Sequence, residues 1–98
     1  MVEQLIKNKK VEDLLIRNNV AMLGLFGSYS RGEETENSDL DFLIKFSKRT
    51  SLLAHIRLQR QLSEILGREV DLITNNSISP YLREKIMNEV KVIYNAEG

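Results

Sequence analysis

Leu25-Phe26-Gly27-Ser28-Tyr29-Ser30-Arg31-Gly32 is followed, ten residues after Gly-Ser, by Ser38-Asp39-Leu40-Asp41-Phe42. The first segment closes the apolar run Val20–Phe26, which has the makings of a strand buried on both faces and ended by Gly27. The second opens Leu40–Phe46, where alternation puts Asp39, Asp41, Leu43 and Lys45 on one face and Leu40, Phe42, Ile44 and Phe46 on the other. The connection between the two is too short for a full crossover helix. The strands are therefore expected to pair antiparallel around an elaborate loop.

Outward from this pair, Val11, Leu14 and Leu15 have helical spacing, which predicts an amphipathic helix over residues 9–18 with a stop at Asn18-Asn19. Val2, Leu5 and Ile6 offer a preceding turn. Residues 51–66 carry an apolar stripe of Leu58, Leu62, Ile65 and Leu66, with Arg57, Arg60, Gln61, Glu64 and Arg68 opposite. Thr50 or Ser51 can cap its start, and Gly67 suits the left-handed position at its end. Glu69–Thr74 reads as a short strand. Ser79-Pro80 opens another helix, with Leu82, Ile86 and Met87 expected to face inward. Val90–Tyr94 reads as a closing strand. The predicted fold class is α/β (α+β), a small mixed sheet of about four strands flanked by helices.

The chemistry-bearing residues gather around the opening pair. Two carboxylates at i and i+2 on a strand share a face, roughly 7 Å apart at the backbone, and can converge on divalent ions. Buried without cations, such like charges would repel. Asp71, near the start of the third strand, can approach from the adjacent position. Three Asp residues with Mg²⁺, two ions being expected, make a phosphoryl or nucleotidyl transfer centre. Gly27 lets backbone approach a phosphate, the following amides can point at it, and the Ser28 hydroxyl adds a hydrogen bond. Arg31 is within reach of phosphate oxygens. Taken singly, Gly-Ser is ordinarily a turn, and Asp-x-Asp at a strand end is ordinarily a solvated edge. The joint placement on consecutive strands is what points to a site.

Composition narrows the classes. With 14 Lys+Arg against 14 Asp+Glu, the formal charge is zero, which disfavours strong nucleic-acid binding by bulk charge. The balance is local, however. Residues 33–41 hold Glu33, Glu34, Glu36, Asp39 and Asp41, while residues 45–60 hold Lys45, Lys48, Arg49, Arg57 and Arg60. That contrast suits cations held beside an anionic group, or two solvated surfaces of opposite sign. The absence of Cys excludes disulfides and thiolate metal sites, and one His cannot build a His-rich centre. A surface or boundary role is expected for that residue, His55. No apolar run approaches the ~20 residues of a membrane span. A single domain over residues 1–98, placed in the cytoplasm, is the expectation.

The residues Leu25–Gly32, Ser38–Phe42 and Val70-Asp71-Leu72 together resemble the minimal nucleotidyltransferases of the DNA polymerase beta superfamily, over nearly the whole chain. The resemblance implies that Asp39, Asp41 and Asp71 are catalytic and metal-binding, and that Gly27, Ser28, Arg31 and Ser38 serve the nucleotide. It implies ATP as substrate and, as in many minimal prokaryotic members, an antitoxin role. Such antitoxins transfer AMP to a tyrosine of a cognate all-α HEPN ribonuclease toxin and silence it. At this length there is little room for a separate acceptor pocket, so a protein acceptor is favoured. Two alternatives stay open: a catalytically silent antitoxin acting by contact, and a nucleotidyltransferase acting on a small molecule or an RNA end.

Overall fold

The computed structural model describes residues 8–27 and 39–96. The predicted phosphate-side residues Ser28, Arg31 and Ser38, and the turn at Val2, Leu5 and Ile6, lie outside the described residues.

Helix α1 (Lys9–Arg17) starts at Asn8, whose side chain accepts from the Lys10 amide at 2.9 Å. It ends at Asn18, and Asn19 takes a left-handed backbone (φ 57), a conformation Asn tolerates better than most residues. Strand β1 (Val20–Phe26) then runs antiparallel to β2 (Leu40–Phe46), as the short connection requires. Helix α2 (Leu52–Leu66) is capped by Ser51, which accepts from the Ala54 amide, and stops at left-handed Gly67. As a crossover it lets β3 (Val70–Thr74) lie parallel to β2. A 3-10 turn (Asn75–Ser77) leads to α3 (Pro80–Glu89), where Ser79 caps and Pro80 occupies the first turn. Strand β4 (Lys91–Asn95) closes on the far side of β1. The sheet order is β3-β2-β1-β4, so the expected mixed four-stranded sheet is present.

Apolar side chains cover both faces of this sheet. On one face Leu40, Phe42 and Ile44 of β2 and Leu23 and Leu25 of β1 meet Val11, Leu14 and Leu15 of α1 and Leu58, Leu62 and Leu66 of α2. On the other, Phe26, Leu43 and Ile78 form a smaller cluster with Met22, Ile73, Ile86 and Val90 against it. A register irregularity between Val20 and Met22 lets Val20 join the larger cluster although its parity opposes that of Leu23 and Leu25.

Helix α3 departs from its predicted inward face. Ile86 packs against the smaller cluster, but Leu82 is 52% and Met87 45% exposed. The helix meets the sheet by a narrow ridge near its C-terminal end, so Ile86 and the capping Val90 cover the cluster while the neighbouring turns remain in solvent. The closing strand also starts one residue later than predicted, because Val90 serves as the helix cap. Among the described residues, no helix is long and apolar enough to cross a membrane.

Candidate active site

The end of β1 and the beginnings of β2 and β3 lie at the same end of the sheet. Antiparallel pairing sets Phe26 opposite Asp41, and parallel pairing sets Asp41 beside Asp71. Asp41 therefore sits between two neighbours: the Gly27 turn on one side and Asp71 on the other. The side-chain parity of β2 and β3 sends Asp41 and Asp71 to the face that carries Leu43 and Ile73.

Gly27 has φ +81, and a Cβ built on it would fall 2.6 Å from Asp41 Oδ2. The space a side chain would need is filled by the carboxylate. Gly is required here twice over, for the backbone conformation and for the contact. The turn and the carboxylate, read from the sequence as separate elements, are thus one packed unit.

Burial grades across the three carboxylates. Asp41 is half-buried, whereas Asp39, just before β2, and Asp71, on the edge strand, are exposed. Among the described residues, no three His, Cys, Asp or Glu side chains gather closely enough to hold a metal ion. The expected convergence of all three Asp is thus present in backbone register but not as a closed ligand set. Like charges separate unless a cation holds them together. Hard carboxylate oxygens are the donors Mg²⁺ prefers, and the adjacent Asp41 and Asp71 with Asp39 two residues before fit such an ion. Gly27 lies where predicted; Ser28, Arg31 and Ser38 fall outside the described residues.

The edge strand β3 is held by residues that the motif does not include. Gln59 Oε1 accepts from the Leu72 amide at 3.1 Å, and His55 Nε2 lies 2.9 Å from the Leu72 carbonyl oxygen. One turn further along α2, the Ser63 hydroxyl donates to the Arg68 carbonyl. His55 also packs its ring at a tilt against Phe46, with centroids 6.0 Å apart. The boundary role expected for His55 is met. Gln59 and Ser63 carry no motif; their signal is the four-residue spacing of polar side chains beside the apolar stripe of α2.

A four-stranded mixed sheet with carboxylates at the starts of two parallel strands, and a glycine turn packed on one of them, defines the nucleotidyltransferase class. Residues 9–97 match the family described as Polymerase beta, Nucleotidyltransferase, and the chain belongs to it. Its relatives sharpen the placing. A Methanocaldococcus jannaschii protein, provisionally named a protein adenylyltransferase, is 44% identical over 81 residues, covering 83% of this chain and 87% of its own. The protein adenylyltransferase MntA of Thermococcus cleftensis is 38% identical, covering 91% and 89%. Among solved structures, a toxin–antitoxin complex with AMP-PNP contains a chain that superposes with TM-score 0.76 at 28% identity, covering 93% of this chain and 75% of that one. The MNT antitoxin complex with tri-AMPylated HEPN toxin of Shewanella oneidensis matches with TM-score 0.70 at 27% identity, covering 97% and 74%.

Proposed function

We propose that this nucleotidyltransferase transfers AMP from ATP, with Mg²⁺, to a tyrosine hydroxyl of a cognate all-α HEPN toxin and so neutralises it. The observation that carries the reading is the register of Asp41 beside Asp71 with Gly27 packed on Asp41. The names of the relatives, protein adenylyltransferases and an antitoxin bound to an AMPylated HEPN toxin, support the choice of acceptor.

In this reading Asp39, Asp41 and Asp71 hold the metal, and Gly27, Ser28, Arg31 and Ser38 line the nucleotide side. Bound Mg²⁺ supplies charge neutralisation of the triphosphate and makes the acceptor hydroxyl more acidic. Asp71, exposed on the edge strand, is assigned the acceptor side and takes up the acceptor proton. A tyrosine hydroxyl titrates near about 10, so it needs that help at neutral pH. Its oxygen attacks the α-phosphorus in line, the bond from that phosphorus to the bridging oxygen breaks, and pyrophosphate leaves.

The test is intact-mass spectrometry of the cognate toxin after incubation with the chain, ATP and Mg²⁺. A gain of one or more AMP units with loss of toxicity is the expected result. Neutralisation without any mass change would instead assign a contact-only antitoxin.

A further inference from the structure

Leu72 presents its amide and carbonyl to α2 rather than to β2, because β3 is an edge strand and alternate residues of a ladder face outward. Left to solvent, those two groups would let the edge fray or accept a foreign strand. Gln59 and His55, one turn apart on α2, take one each. Both side chains are partly buried, and the helix that carries them is anchored in the core by fully buried Leu58 and Leu62. The clamp is therefore mounted on a helix anchored in the core.

Its point of attachment is what matters for the site. The Leu72 amide and the Asp71 carbonyl belong to one planar peptide group. The Asp71 carbonyl faces β2 in the ladder, so the bond to the Leu72 amide holds the outer side of that plane and steadies the direction in which the Asp71 side chain leaves the backbone. Asp71 is exposed, so packing of its own side chain does little to aim it. We propose that Gln59 is the positioning residue for Asp71, acting through the Asp71–Leu72 peptide, with His55 anchoring the carbonyl on the other side of Leu72. The proposal rests on the reading of Asp71 as a metal ligand.

The experiment is a double-mutant cycle read by Mn²⁺ binding to the full chain, titrated by electron paramagnetic resonance without nucleotide. Gln59→Met keeps size and helix propensity but removes the amide oxygen. It is expected to weaken Mn²⁺ binding about tenfold, the low end for loss of an outer-shell partner. In an Asp71→Asn background it should weaken binding no further, because its effect runs through Asp71. Gln59→Glu retains an acceptor oxygen and should restore affinity to near the wild-type value. Faster hydrogen exchange at the Leu72 amide in Gln59→Met, with core amides still protected, shows that the clamp opened and the fold remained.

If Asp71→Asn weakens Mn²⁺ binding but Gln59→Met does not, or if the two losses add in the double variant, Gln59 merely ties down the strand and the proposal is overturned while the metal reading stands. If the wild-type chain takes up no Mn²⁺, or Asp71→Asn binds it like wild type, the metal reading fails and takes the proposal with it.

Discussion

Gly27 and Asp41 occupy one another's space: the position of a β-carbon on Gly27 lies 2.6 Å from Asp41 Oδ2, and the glycine backbone is left-handed. Gly27→Ala must therefore either displace the carboxylate or reshape the turn. The conformational strain alone is worth about 1–3 kcal/mol. The expected outcome is a loss of that order in urea-unfolding free energy together with loss of AMP transfer. A variant that transferred AMP at the wild-type rate would show that Asp41 can move without consequence.

The same pair shows how far the sequence could be read. An apolar run ending in glycine, and an alternating strand opening with Asp-x-Asp, are legible because side-chain alternation is a property of any strand. The antiparallel first pair follows from those signals and from the short connection. The direct packing of Gly27 on Asp41 does not, because pairing register depends on turn geometry that no local pattern reports. Helix α3 was harder still. Leu82 stands four residues before Ile86, at helical spacing, and Met87 adjoins it, yet of the residues of α3 and its cap only Ile86 and Val90 reach the smaller cluster. How much of a helix touches a sheet is decided by the tilt between them, which spacing cannot reveal. Gln59 stayed silent because a polar residue beside an apolar stripe looks like any solvated one until the neighbouring strand is placed.

Asp41→Asn and Asp71→Asn test the carboxylates themselves. Asp71 is exposed, so Asp71→Asn should unfold within about 0.5 kcal/mol of wild type. Both variants should keep the wild-type far-ultraviolet circular dichroism and lose AMP transfer to the toxin, scored by intact mass. Retained transfer in either one would remove that residue from the site.

Gly24 has a different reason to be glycine. It lies inside β1, and a Cβ built there would meet Val90 Cγ2 at 2.5 Å. The absence of a side chain lets the end of α3 settle onto the sheet. Gly24→Ala should therefore destabilise by about 1–3 kcal/mol through overpacking. Val90→Ala should be partly compensating in the double variant, so the two changes should be non-additive in urea unfolding. Strict additivity would show that the contact does not govern the strand's choice of glycine.

Helix α2 separates burial from hydrophobicity within one element. Leu58 is fully buried against the sheet, whereas Leu53, five residues earlier, is 67% exposed. Leu58→Ala removes methyl groups from a packed interior and leaves a cavity, so a loss of about 2–5 kcal/mol is expected. Leu53→Ala removes groups already in contact with water and gains slightly in helix propensity, so its unfolding midpoint should stay within about 0.5 kcal/mol of wild type. Leu58 anchors the helix that carries Gln59 and shares a buried cluster with Leu72, so the Leu58 change should also loosen the Gln59 bond and lower Mn²⁺ affinity, whereas Leu53→Ala should leave it unchanged. Parallel urea titrations of the two variants, with metal binding followed in the folded range, decide this. Equal losses in the two would mean that α2 does not pack by the stripe of Leu58, Leu62 and Leu66.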